Sequence, residues 1–289
     1  GRMQSLTEIK SRLGIGTDAA RPLTLIHGWP GVGKSTVAAM LTHDPDITKQ
    51  FPDGILWASL GETPDLLGEI SSWVDALGLH DASQTHRIEE LSIRLSAAIR
   101  DKRMLLVIDD VWQVDHVRPF RIGGQHCVTV MTSRLFDVAL SLAPSAADIY
   151  RLPLLSEVAS LDLLARLTPE TVTHFPDESR ELTKDLEGLP LAIHVAGRLL
   201  HAESSMGWGI RELLDELHVG ARLLEAQPPT DVLMIGRDAS PTVAALLSRS
   251  TNRLDPEMRL RFAMLGFFVP KPAAVNALPA LPAACYIAA

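Results

Sequence analysis

With 289 residues, 46% of them hydrophobic and 21% charged, the chain has length for about two domains and enough apolar content for a core, which excludes wholesale disorder. No apolar run approaches the ~18 residues that cross a bilayer, no signal peptide opens the chain, and the two distant cysteines, Cys127 and Cys285, read as reduced thiols, so a cytoplasmic protein is expected. A net charge of -8 argues against a generally basic surface that coats nucleic acid.

Leu6, Ile9 and Leu13 recur at 3–4 spacing and predict one face of a short helix, ended by Gly14, Gly16 and Asp18. The leading Gly1-Arg2 reads either as an appended dipeptide or as native sequence. Leu23-Thr24-Leu25-Ile26 predicts a first strand, and Thr36-Val37-Ala38-Ala39-Met40-Leu41 a helix. Between them, Gly28-Trp29-Pro30-Gly31-Val32-Gly33-Lys34-Ser35 has the P-loop spacing G-x-x-x-x-G-K-[ST] in its strand–loop–helix setting. The glycines let the backbone turn its N–H groups inward at a helix N-terminus, which makes an anion cradle. On this reading Gly28, Pro30, Gly31, Val32 and Gly33 form the cradle, and Lys34 reaches the β- and γ-phosphates. The Ser35 hydroxyl ligates Mg²⁺, and Thr36 donates to the α-phosphate. A glycine-rich turn that merely precedes a lysine would explain neither the full match nor its flanks. ATP or ADP with Mg²⁺ is the expected ligand.

His43-Asp44-Pro45-Asp46 reads as a helix stop, Phe51–Gly54 as a turn and Ile55–Leu60 as a buried strand. Thr63-Pro64-Asp65 starts a helix with Leu66, Leu67, Ile70, Trp73, Val74 and Leu77 on one stripe, closed by Gly78. Another runs from about His86 to Arg100, with Ile88, Leu91, Leu95 and Ile99 inward. Such stripes are core rather than a cofactor box.

Met104 to Ile108 is uninterrupted apolar sequence and predicts a strand buried on both faces, as in a parallel sheet. Ending such a strand with Asp109-Asp110 is costly unless the acids face a cation. Asp109 is the candidate Mg²⁺ ligand, through water, and Asp110 the group that orients or deprotonates an attacking water. The plainer alternative is a strand-ending turn with solvated acids. Cys127–Thr132 predicts strand four and delivers Ser133-Arg134 to the same edge. The guanidinium fork of Arg134 suits a γ-phosphate; otherwise Arg134 ties strand four to a neighbouring acid. Ile149–Leu152 predicts strand five, and helices follow over about Ser156–Leu167, Asp177–Glu187 and Leu189–His201. The ten histidines are scattered without metal-ligand spacing.

Taken in order, these pieces resemble the NB-ARC domains of the STAND class of P-loop NTPases. The resemblance rests on Gly28–Thr36, Asp109-Asp110-Val111-Trp112, Val128–Arg134 and Arg151-Leu152-Pro153-Leu154-Leu155-Ser156. Gly188-Leu189-Pro190-Leu191-Ala192 matches the family's GLPLA motif, and Leu246-Leu247-Ser248-Arg249-Ser250 with Leu254, Pro256, Arg259, Phe262 and Leu265-Gly266 resembles the start of its winged helix. Gly1-Arg2 fits the family's N-terminal Gly-Arg element, which favours native sequence.

The resemblance implies an α/β fold, a five-stranded parallel P-loop sheet with flanking helices over 1–155. A small helical domain over 156–225 and a partial winged helix with a Pro/Ala-rich tail over 226–289 would follow. It places Pro190 near the adenine, closing the helical domain over the nucleotide. It implies an ATP/ADP switch with slow Mg²⁺-dependent hydrolysis, since Asp110 is shorter than the glutamate of fast relatives, and protein partners or self-assembly in the ATP state. The family's Met-His-Asp motif is absent, and with it the histidine that holds the ADP β-phosphate. Two rivals are a plain turnover ATPase, weakened by Asp110, and an ATP-gated winged-helix transcription regulator, weakened by the truncated wing and the negative charge.

Overall fold

The computed structural model describes residues 2–16, 21–79, 87–203, 209–225 and Leu246. The expected winged-helix stretch and tail, Cys285 and Gly1 lie outside these, Leu246 excepted. The chain divides into two compact units. The described residues within 4–28 and 34–152 belong to one; residues 2–3, the P-loop tip 29–33 and the described residues within 153–246 belong to the other.

The first unit is built on five parallel strands: β1 (Leu23–His27), β2 (Ile55–Gly61), β3 (Leu105–Val111), β4 (Val128–Ser133) and β5 (Ile149–Arg151). They lie in the order β2-β3-β4-β1-β5. Continuous burial along β1 and β3 explains their unbroken apolar runs, because a parallel sheet is covered on both faces. The order sets the C-terminal ends of β3, β4 and β1 side by side, so β4 lies between the strand that ends in acids and the strand that enters the P-loop.

Helix α1 (Met3–Arg12) buries Leu6 and Ile9, as its spacing predicts, and α2 (Lys34–Thr42) leaves the P-loop. The segment His43–Asp46, expected only as a stop, also opens α3 (Pro45–Gln50). Asp44 accepts the Asp46 N–H at 2.9 Å and Pro45 occupies the first turn, a start signal as strong as the stop. Lys10 bridges both aspartates.

Helix α4 (Leu66–Ala76) is capped by Asp65, which accepts the Gly68 N–H at 3.0 Å, and α5 (Ile88–Ile99) follows. Their stripes meet the sheet around Trp73, whose indole N–H donates to the Trp57 carbonyl at 2.8 Å and whose ring meets Phe120 edge-on at 5.1 Å. Short helices α6 (Val114–Val117) and α7 (Phe136–Leu142), without long periodicity of their own, complete this unit.

The second unit carries α8 (Glu157–Leu167), α9 (Pro169–His174), α10 (Pro176–Asp185), α11 (Pro190–Glu203) and α12 (Ile210–Glu225). Ser156 caps α8, and Arg211–Glu178 and His218–Asp185 pairs fasten α12 to α10. The turn into α11 is the Gly188-Leu189-Pro190 stretch. Gly188 adopts φ 65°, its carbonyl accepts the Leu155 N–H at 3.0 Å, and a Cβ built on it falls 2.5 Å from the Leu155 oxygen. Only glycine satisfies both demands. Gly188→Ala should therefore cost about 2 kcal/mol or more, beyond the ~1 kcal/mol of left-handed strain alone. Urea denaturation followed by circular dichroism reads this as a lowered midpoint.

Candidate functional site

The P-loop begins where β1 ends. Gly31 and Gly33 adopt φ 75° and 94°, conformations that favour glycine. A Cβ on Gly31 would also fall 2.8 Å from the Leu191 Cβ, and the Leu191 N–H donates to the Gly31 carbonyl at 3.3 Å. The first turn of α11, with Pro190 at its start, thus packs directly on the loop tip. Pro30 lies exposed at that tip, Val32 is buried, and the Arg2 guanidinium donates to the Val32 and Pro153 carbonyls.

Lys34 is the first residue of α2. It is 8% exposed, and its ammonium donates to the Gly28 carbonyl at 2.8 Å, which draws the two ends of the loop together. Burial pulls this ammonium below its usual range; Arg134 acts the same way, while Asp110 and Asp109 act against it. Ser35 and Thr36 are exposed on the same first turn.

At the end of β3, Asp109 is 7% exposed and hydrogen-bonded by the side chains of Ser35 and Thr132. The Thr132 hydroxyl donates to Asp109 Oδ1 at 2.5 Å and accepts the Asp110 N–H at 2.9 Å. Burial pushes the Asp109 carboxyl up, and these hydroxyls oppose the shift. Asp110 takes φ 52°, which turns its side chain out of the strand alternation. Its Oδ2 accepts the Trp112 indole N–H at 3.0 Å, and its Oδ1 faces Arg134 Nε at 3.9 Å. The Arg134 guanidinium lies 3.5 Å above the Trp112 ring.

Lys34, Ser35, Asp109, Asp110 and Arg134 therefore converge in the first unit. Gly31 and Pro190 come together in the second through the Leu191 contact. Thr132 and the side-chain role of Trp112 had no sequence signal of their own. A β-branched residue inside an apolar strand reads as strand filler, and Trp112 enters the sequence reading only as the last residue of the Asp109–Trp112 element. Chemically, the first unit presents a buried ammonium, one buried and one half-exposed carboxylate, hydroxyls and a stacked guanidinium. That donor set suits a polyphosphate with a divalent cation.

The sequence profile of the NB-ARC domain family matches residues 2–171. The chain belongs to the NB-ARC family. The match spans the P-loop, Asp109, Asp110 and Arg134, while Pro190 lies beyond it. The NB-ARC chain is 27% identical to regulatory protein AfsR of Streptomyces griseus over 274 residues, 92% of this chain and 26% of that protein. Apoptotic protease-activating factor 1 of Danio rerio is 32% identical over 188 residues, 61% of this chain and 14% of that protein. A probable disease resistance protein of Arabidopsis thaliana is 28% identical over 277 residues, 91% of this chain and 30% of that protein. The chain thus spans less than a third of the length of these relatives. The crystal structure of Cdc6p from Pyrobaculum aerophilum shares the fold alone, with a TM-score of 0.55 at 15% identity, covering 92% of this chain and 86% of that one.

Asp109 yields a pH prediction. Its folded pKa lies above the unfolded value, so its contribution is fully present below the ordinary carboxylate range and is lost as pH rises through the raised value. Asp109→Asn removes that loss. Its stability relative to the parent should grow as pH rises above the ordinary carboxylate range and level off above the raised value, as read by urea denaturation without nucleotide or Mg²⁺. A difference that stays constant with pH would refute burial as the dominant cause.

Proposed function

We propose that this NB-ARC chain is an ATP/ADP-binding switch with slow, Mg²⁺-dependent hydrolysis, whose nucleotide state governs domain arrangement and partner assembly. The observation that carries the reading is the buried Lys34 ammonium at the P-loop's own carbonyl, beside a Ser35 hydroxyl bonded to buried Asp109. In this assignment the backbone of Gly28 to Gly33, including Pro30 and Val32, cradles the phosphates and Thr36 donates to the α-phosphate. Lys34 neutralises the β- and γ-phosphates, and the family resemblance assigns Pro190, beside the Leu191 that holds the Gly31 carbonyl, to the adenine.

The residues fit Mg²⁺: Ser35 and Asp109 are hard oxygen donors already in contact, and Thr132 orients the carboxylate. When bound, the ion supplies charge neutralisation between phosphate oxygens. Asp110 orients or accepts a proton from water. Its carboxylate accepts from the Trp112 indole and faces Arg134 at 3.9 Å. Arg134 gains contact energy with a γ-phosphate and little with ADP, the differential affinity that a switch requires.

Two outcomes test this. Lys34→Ala should weaken ADP binding by ~1.5–3 kcal/mol, roughly tenfold to over a hundredfold, through loss of a charge-assisted hydrogen bond. An unchanged dissociation constant in calorimetry would sink the P-loop assignment. Arg134→Ala should lower the preference for ATP over ADP while ADP affinity stays within about twofold. Parallel loss of both affinities, with a lowered Tm, would make Arg134 a structural tie instead.

A further inference from the structure

Trp112 stands two residues after Asp110, and the proposed function gives it no task beyond its bond to that carboxylate. Its indole meets two of the assigned groups at once, by different chemistry: the ring N–H holds Asp110 Oδ2 at 3.0 Å, and the ring face carries the Arg134 guanidinium at 3.5 Å. We propose that Trp112 is the positioning residue of the γ-phosphate end of the site, aiming the Arg134 fork with its face and the Asp110 carboxylate with its N–H.

The alternatives for holding these groups are weaker. The Arg134 side chain is 35% exposed and its Nε stands 3.9 Å from Asp110 Oδ1, so the ion pair is long and partly screened. A salt bridge of that length fixes no plane. Stacking does, because a guanidinium flat on an indole keeps one rotation and leaves its N–H edge free to meet a phosphate. For Asp110 the backbone is already set, by φ 52° and by the bond from its N–H to Thr132. What remains is rotation of the carboxylate, and the indole N–H settles it by occupying Oδ2, which leaves Oδ1 on the Arg134 side. The two functions are therefore separable: phenylalanine keeps a face and lacks the N–H, and leucine lacks both.

This rests on Arg134 as the γ-phosphate sensor, so R134A is measured beside the tryptophan variants. The full chain carrying W112F, W112L, R134A or W112L with R134A is titrated with Mg·ATP and with Mg·ADP by calorimetry. Single-turnover hydrolysis of ATP is followed in each. W112F should keep the ATP preference within about twofold and hydrolyse about tenfold more slowly, the size of one hydrogen bond to a charged group. W112L should fall to the R134A preference with ADP affinity unchanged, and the double variant should fall no further.

Preserved ATP preference in W112L while R134A loses it overturns the proposal and leaves the sensor reading intact. An R134A variant with unchanged preference removes the sensor itself, and the proposal with it. Equal loss of ATP and ADP binding in W112L, with a lowered Tm, gives Trp112 a packing role only and overturns the proposal. Should W112L not fold, W112F decides: hydrolysis lost with preference kept supports the assignment, and both lost refutes it.

Discussion

One hydroxyl organises the acidic edge of the sheet. Thr132, at zero exposure on β4, donates to Asp109 and accepts from the backbone of Asp110. Without it, the part-buried Asp110 N–H would lose this acceptor, at ~1–3 kcal/mol, and buried Asp109 would lose one of its hydroxyl donors, with Ser35 remaining. The regular pairing of β3 with β4 stops at Ile108 and Met131, just before these residues. The side-chain relay takes over where that pairing ends, and it keeps the backbone donor of Asp110 satisfied at φ 52° inside β3. A kink that would otherwise be strained becomes a fixed direction for the second acid.

The electrostatics follow from that fixed geometry. Two acids and two cations, Asp109, Asp110, Lys34 and Arg134, share one corner of the sheet. Lys34 and Asp109 are buried and both are shifted toward their neutral forms, so desolvation outweighs their mutual attraction. A corner built this way is stable enough to fold and electrostatically unsettled enough to gain from a phosphate and a divalent cation. The cost of burying the charges is met by the rest of the core, chiefly the continuous apolar strands β1 and β3.

Much of this was legible in the sequence, and the reason is locality. The P-loop and the strand ending in Asp109-Asp110 declare themselves because their chemistry is written in consecutive residues. The five strands and most helices follow from apolar periodicity over ten residues or so, as at Ile70, Trp73 and Val74. Pairings between distant residues had no such trace. Thr132 meets Asp109 across 23 positions, and Leu191 reaches Gly31 from a helix whose sequence says only that it starts with proline. The Asp44-Pro45 junction was half read because one pair of residues both ends a helix and begins another. The left-handed φ of Asp110 was hidden for a different reason, since nothing in an Asp-Asp pair announces which residue will adopt it.

The strength of the Arg134 attachment matters as much as its place. Stacking on a partly exposed tryptophan contributes ~0.5–1 kcal/mol, and a long, screened ion pair adds at most ~1 kcal/mol. Together these amount to ~0.5–2 kcal/mol, which favours one orientation of the guanidinium over the others it would sample in water. A charge-assisted contact to phosphate gives ~1.5–3 kcal/mol, which exceeds the weak Asp110 pair without exceeding the whole attachment by much. On the proposed sensor role, redirecting Arg134 from Asp110 toward a phosphate would need no loss of the stacked face, only exchange of one anion for another. The free-energy difference between those partners falls in the ~1–3 kcal/mol range typical of coupling between ligand and conformation. An arginine buried in a bidentate bridge would be too firmly held to report on a ligand, and one free in solvent would be too disordered to recognise it.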